Sequence, residues 1–368
     1  MSSWIVIILF SIVAMAVSRQ QMAKRAVVWQ RVAEEIGGRF EPSSGGFWKP
    51  DPMKIVAQLD DITVVVDHYT VSHGRSSTTY TRIYAEASGP NALTLKVYEE
   101  GVLSSLGKAF GTQDIDTGDR AFDDVFIVKS NDEGLARLWL DDRKLRETLT
   151  EARPYSLTLE NRAVTSTKVG IDDDPRRLIT AIRAVAQCAA RGAKLGKRWR
   201  KLAAKLGGEV SRGELSWPGD QDAAIALELR GMRVTVAIDR RSLPGKTARI
   251  GTRVSAERGV SLGDRFMLER TCDLARKDKG GPAQPADPFG DPAFASAYTL
   301  TLGDARAARR LGEEQRRTLL AVKPALVSAG EQDVSVIFEG ALFNDKTLTA
   351  AMELAADLSA NASEGPYR

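Results

Sequence analysis

The sequence is poor in the residues that most often carry chemistry. It holds only two cysteines and two histidines in 368 residues. Cys188 and Cys272 stand far apart, without the paired spacing of a disulfide framework or a cysteine-based zinc site. Their scarcity fits a reducing compartment. No nucleophile elbow, P-loop, Rossmann glycine set or H-E-x-x-H segment occurs. Charge of one sign is lacking too. Lys and Arg number 52 against 48 Asp and Glu, and a formal +4 is too small to imply a polyanionic partner. Long apolar runs are also scarce. The one that stands out, "WIVIILFSIVAMAV" at 4–17, would reach about 21 Å as a helix, short of a hydrocarbon core of about 30 Å.

What is present supports a folded chain. Hydrophobic residues make up 43% and charged residues 27%, a globular balance, and the length suits two domains. Ser2, Ser3 and Ser18 extend the N-terminal apolar run, and Trp4 suits a membrane interface. Arg19, Lys24, Arg25 and Arg31 follow the run while no cation precedes it. That asymmetry predicts an uncleaved single-pass anchor in the inner (cell) membrane, N-terminus outside and domains cytoplasmic. The "AMA" at 14–16 resembles a signal-peptidase site, so export after cleavage is the alternative. A buried apolar helix is the third reading.

The body of the chain repeats itself. "GDRAF" (118–122) returns as "GDPAF" (290–294). Trp29, Ala33, Gly37 and Gly38 match Trp199, Ala203, Gly207 and Gly208, an offset of 170. Trp48 answers Trp217, Val64 and Val66 answer Val234 and Val236, and "TRIYAE" (81–86) answers "TRVSAE" (252–257). Asp132, Ala136 and Arg137 match Asp304, Ala308 and Arg309, and Val164, Leu178 and Ala181 match Val334, Leu348 and Ala351. A collinear series of this kind predicts an internal duplication. Two units do not make a solenoid, so each is expected to have its own core.

Each half reads alike. A helix (20–36; 193–206) ends at the Gly-Gly pair. Alternating β-branched segments follow (54–59, 62–71, 79–87, 92–99; then 223–230, 232–240, 247–257). A short strand, a second helix (132–150; 304–321), a hairpin and a last helix (174–190; 345–359) complete the unit. The expected class is α+β: two tandem duplicated domains, each an antiparallel sheet packed with helices, after an N-terminal transmembrane helix. The boundaries are 1–18 for the anchor, 19–192 and 193–360 for the repeats and 361–368 for a disordered tail. Residues 271–290, rich in Gly, Pro and charge, read as a mobile loop.

GD-x-AF reads as a shared turn. Gly118 and Gly290 turn the chain, Asp119 and Asp291 bond to nearby N–H groups, and Phe122 and Phe294 fill the core. His68 shares a strand face with Val64 and Val66, and its counterpart is Ile238, so a packed histidine is preferred to a ligand or a base. Asp114, Asp116, Asp119, Asp123 and Asp124 cluster without the EF-hand spacing and read as a solvated turn before a cation loop. No metal and no cofactor is expected.

The run "ARGAKLGKRWRKLAAKLGG" is a basic amphipathic helix without an acid. Lys194, Lys197, Arg198, Trp199, Arg200, Lys201 and Lys205 form a candidate membrane-surface patch. The competing reading packs its apolar side on its own sheet. No recognised nucleic-acid fold accompanies it.

"FDDVFIVKSNDEGLARLWL" resembles a motif of an uncharacterised bacterial membrane-associated domain-of-unknown-function family, F-D-x-x-F-x-V followed by D-x-x-x-A-R. Phe122, Asp123, Phe126, Val128, Asp132, Ala136 and Arg137 carry the likeness. The second copy departs from it, with Ala295 for the Asp and Tyr298 for the second Phe. The resemblance implies a membrane-associated setting and supplies no activity.

The expected function is a membrane-anchored, non-enzymatic scaffold or a protein-interaction and sensing protein. Its expected partners are the membrane and an unidentified protein, with no nucleic acid and a homo-oligomer left open. An apolar-ligand or lipid-binding protein is one alternative. A hydrolase centred on His68 and the nearby acids is the other.

Overall fold

The computed structural model describes residues 3–46, 49–74, 76–88, 93–99, 114–210, 224–241, 249–257, 265–271, 289–302, 311–330, 332–340 and 342–361. The first unit begins with helix α1 (Ser3–Glu35). Its strands are β1 (Arg39–Glu41), β2 (Lys54–Leu59), β3 (Ile62–His73), β4 (Ser76–Glu86), β5 (Leu95–Glu99), β6 (Phe126–Ser130), β7 (Ser156–Glu160) and β8 (Ala163–Val169). Helical segments α2 (Arg120–Asp123), α3 (Glu133–Leu140) and α4 (Arg143–Glu151) lie between β5 and β7. Helix α5 (Pro175–Leu206) follows.

The second unit repeats the plan with β9 (Glu209–Val210), β10 (Ala224–Leu229), β11 (Met232–Arg241), β12 (Arg249–Glu257), β13 (Phe266–Arg270), β14 (Tyr298–Leu302), β15 (Leu326–Ala329) and β16 (Asp333–Glu339). Its helices are α6 (Pro292–Ala297), α7 (Glu313–Val322) and α8 (Asp345–Asn361).

Each unit has one eight-stranded sheet whose paired strands are antiparallel, and a two-stranded ribbon pairs Gly45–Gly46 with Lys49–Pro50 in the first. The first eight-stranded sheet is ordered β1-β2-β3-β4-β8-β7-β5-β6 and the second β9-β10-β11-β12-β16-β15-β13-β14. Each strand of the second sheet therefore stands where the strand eight earlier stands in the first.

The register shows why the same residues recur. Val64, Ala85, Val164, Leu159 and Leu95 face one another across five neighbouring strands, and all five are buried. Val234, Ala256, Val334, Ala329 and Phe266 make the equivalent buried row in the second sheet. A strand's period of two places these side chains on one face, toward the helices. In the second unit α8 packs on β10, β11, β12 and β16.

The membrane part of the expected fold is corrected. Among the described residues no helix is long and apolar enough to cross a membrane. The expected anchor at 1–18 is not a separate element, because α1 continues unbroken to Glu35. Its last turns belong to the first core: Trp29, Val32 and Ala33 are buried, and the Trp29 indole donates to the Asp172 carbonyl at 2.8 Å. The single-pass transmembrane description falls with that span. The side chains of 4–16, which carried the apolar run, lie outside the described residues.

Two further differences have local causes. Helices expected at 174–190 and 193–206 are one continuous helix of 32 residues. Gly192 and Gly196 cost a helix about 1 kcal/mol each, too little to end it without a proline or a cap. The helix expected over 132–150 is broken instead. Asp142 caps α4, its carboxylate accepting from Lys144 N at 3.1 Å and Leu145 N at 3.3 Å.

The chain divides into two compact units, Met1–Asn131 with Trp139–Gly192, and Asp132–Leu138 with Ala193–Arg368. Trp48, Trp217, Cys272, Asp304, Ala308 and Arg309 lie outside the described residues. So do almost all of the loop at 271–290 and the tail at 361–368.

Candidate functional site

The polar groups fall into those the two units share and those one unit has alone. Two devices are shared. Thr81 is buried on β4; its hydroxyl donates to Gly170 O at 2.8 Å and accepts from Asp172 N at 2.8 Å. Thr252 on β12 is its equal, donating to Gly340 O at 2.9 Å and accepting from Leu342 N at 2.7 Å. Each threonine fastens the chain leaving the last strand back onto the sheet.

The second shared device explains GD-x-AF. Phe122 and Phe294 are buried, and Gly118 and Gly290 have φ of +84° and +64°. The Asp291 carboxylate accepts from Phe294 N at 3.0 Å and lies 3.4 Å from Arg316 Nε. Arg146 Nε donates to Asp119 at 2.9 Å, which holds that carboxyl below the usual range. Each arginine also donates to a carbonyl at its helix start, Arg146 to Leu140 at 2.5 Å and Arg316 to Leu311 at 2.6 Å. Arg146 and Arg316 are 170 apart. That offset is the sequence signal that would have found this clamp.

The nominated acids are in structural use. Asp114 accepts from Val128 N at 2.8 Å, Asp116 from Gly118 N at 2.7 Å, and Asp123 from Thr117 Oγ1 at 2.7 Å. Asp124 ends α2. No group of three or more His, Cys, Asp or Glu capable of holding a metal occurs among the described residues.

His68 lies beside Trp29, ring centroids 6.2 Å apart and edge-on. Its Nε2 is buried without a hydrogen-bond partner among the described residues. Burial lowers its pKa most and the Arg25 charge adds to this, while Asp67 opposes both. Asp67 itself takes both Arg82 nitrogens, Nε at 2.9 Å and Nη2 at 2.6 Å. The imidazole is therefore neutral at pH 7, and among the described residues no carboxylate hydrogen-bonds to it.

Two clusters belong to the first unit alone, and both escaped the sequence reading. Asp172 is fully buried; it accepts from Arg177 at 2.9 and 2.5 Å and lies 3.8 Å from Lys168 Nζ. Burial opposes its ionisation, but the bonds from Arg177 and Asp174 N outweigh burial and lower its pKa. Tyr155 beside it has its pKa raised, by burial first and then by the Asp172 charge. The second unit has Leu342 and Thr347 for Asp172 and Arg177.

On the other face of the first sheet, Arg82 lies 5.1 Å from the Tyr69 ring and 5.0 Å from Tyr84, and Tyr69 stacks on Tyr80 at 5.4 Å. Gly251, Arg253 and Ser255 stand at the positions of Tyr80, Arg82 and Tyr84.

The basic helix is split by its own amphipathicity. Trp199, Leu195 and Leu202 are buried, so the tryptophan is not part of any surface patch. Trp199 meets Phe343 edge-on at 5.7 Å, and the Arg198 guanidinium lies 4.4 Å from the same ring. Arg191 is buried, donating to Trp139 O at 3.0 Å. Lys205 pairs with Asp345 at 3.2 Å. Lys194, Lys197, Arg198, Lys201 and Lys205 are exposed and Arg200 half-buried.

No family model matches the sequence, and no curated protein matches it. Among solved structures it is similar to the mycobacterial trehalose monomycolate transport factor A, TtfA, at 13% identity and a TM-score of 0.29. The match covers 45% of this chain and 93% of that one. At that score the likeness carries no argument about fold or function.

Proposed function

We propose that the chain is a non-enzymatic scaffold or protein-interaction protein built on one α+β plan used twice. The observation that supports this best is the fate of the polar groups. Asp67, Asp114, Asp116, Asp119, Asp123 and Asp172 each hold a backbone N–H or an arginine, and His68 Nε2 has no partner among the described residues. A general base needs hydrogen-bond reach to the proton it takes and a group to orient it. Buried rows of side chains across both sheets argue against a cavity for an apolar ligand between sheet and helix. The F-D-x-x-F-x-V resemblance enters only as architecture, since Phe122 and Phe126 are buried with rings 4.8 Å apart. Two cysteines without paired spacing support a reducing compartment for the domains.

The test is crosslinking of the full chain in intact cells, read by mass spectrometry. A stoichiometric protein partner is expected, and His68→Ala should leave that complex intact. A panel of esters and phosphoesters provides the opposing arm. Turnover lost in His68→Ala would replace this reading by the hydrolase.

A further inference from the structure

We propose that the exposed face of α5 formed by Lys194, Lys197 and Lys201 docks an extended acidic polypeptide segment of a partner protein. The inference rests on the protein-interaction reading and names its surface. Three helix cations elsewhere in the molecule are neutralised one turn away, Arg137 by Glu133, Arg143 by Glu147 and Arg317 by Glu313. These three lysines are exposed and make no such pair among the described residues. No acid occurs between Arg191 and Leu206. Like charges on one helix face repel, so the face is a cost to the isolated fold that an anionic partner would relieve.

Spacing and burial select the partner. Lys194 and Lys201 are about 10 Å apart along the axis, with Lys197 between them. Alternate residues of an extended chain lie about 6.7 Å apart on one side, so acids at every second position come within reach of the stripe. A membrane surface would want an apolar or aromatic edge beside the cations. Trp199, Leu195 and Leu202 are instead buried in the unit's own core. Single-stranded nucleic acid would want an exposed aromatic for stacking, and that same burial removes it. The matching face of α1 is different in kind. It carries Lys24 and Arg31, but has exposed Val27 at the central position and Glu34 and Glu35 at its end.

The test uses the full chain and fluorescence anisotropy. The probe is a fluorescein-labelled peptide of alternating Glu and Ser. Two comparison arms are phosphatidylcholine vesicles with about 30% phosphatidylglycerol and a short DNA duplex, at the same salt. The peptide should bind best, more weakly as salt rises, and the Lys194→Gln/Lys197→Gln/Lys201→Gln variant should weaken it by about tenfold. Lys197→Val, which installs the α1 residue, should weaken it by about threefold, and Lys24→Gln/Arg31→Gln should stay within about twofold. Unchanged binding in the triple variant overturns the proposal, as does tighter binding to vesicles or DNA. Loss of the surface while cells still yield a crosslinked partner sinks this inference alone. Peptide binding without any cellular partner sinks the broader reading and this inference with it.

Discussion

At position 68 the first unit carries a histidine where the second carries Ile238, which is buried on the equivalent strand. Among the described residues the imidazole Nε2 is buried without a partner, and burial holds the pKa of His68 below the ordinary histidine value of about 6.5. Between those two pKa values the unfolded chain binds more protons than the folded one, so stability falls as pH drops below about 6.5. His68→Ile removes both penalties. It should stabilise the protein by about 1 kcal/mol at pH 8 and by more at pH 5, measured by urea unfolding at each pH. An equal gain at both would mean that His68 titrates freely in the fold. Asp172 has the opposite sign. Its pKa lies below 3.8, so its contribution is present above that value and is lost as pH falls through the folded pKa. Asp172→Asn leaves Arg177 and Lys168 facing a neutral group. The cost should be about 2 kcal/mol, less than the ~3–5 of a fully buried pair because Arg177 is 28% exposed. Asp172→Leu/Arg177→Thr installs the second unit's residues and should cost less than Asp172→Asn, since it leaves only Lys168 without its carboxylate where Asp172→Asn leaves both Lys168 and Arg177. Denaturant midpoints of the two variants decide between them.

At the scale of elements, the matched Gly-Gly pairs combine two tasks that composition alone does not separate. Gly37 and Gly207 have φ of +68° and +72°. Gly38 N donates to Ala33 O at 2.7 Å and Gly208 N to Ala203 O at 2.9 Å, closing each helix with a Schellman pair. A Cβ on Gly38 would sit 2.9 Å from Ala57 Cβ and Val56 O, and one on Gly208 2.8 Å from Ile225 Cγ2. Gly38→Ala should therefore cost about 2 kcal/mol through overpacking against β2, read as a lowered urea midpoint with unchanged slope. The helix stop was legible in the sequence, because Gly after an apolar helix has a known backbone role. The close approach was not, because it depends on which strand passes beside the glycine. The same limit hid the Thr81 and Thr252 latch. "TR" was visible in both repeats, but its bonds reach 89 and 88 residues along the chain. The matched valines were legible, since strand parity fixes their face. The break before α4 was not anticipated, although Asp142 is an ordinary capping residue, because amphipathic spacing continues across it.

For the whole molecule, one strand order repeated in two sheets makes paired substitutions a controlled comparison. Thr81→Val and Thr252→Val remove the same hydroxyl from the same place in each unit. Each leaves a backbone N–H without its acceptor, the buried one of Asp172 or the half-buried one of Leu342, at a cost of about 1–2 kcal/mol, less for Leu342. Each sheet has its own core, and the unit boundary at Gly192 falls inside a continuous helix. Independent cores favour two unfolding transitions, whereas a helix of unbroken hydrogen bonds favours one, and calorimetry of the full chain measures which wins. We expect two, because a helix interior propagates order over a few turns while a sheet's burial is collective across its strands. Thr81→Val should then lower one transition by about 3–6 °C and leave the other in place, with Thr252→Val doing the reverse. One transition shifted alike by both variants would mean that α5 couples the two sheets into a single cooperative body.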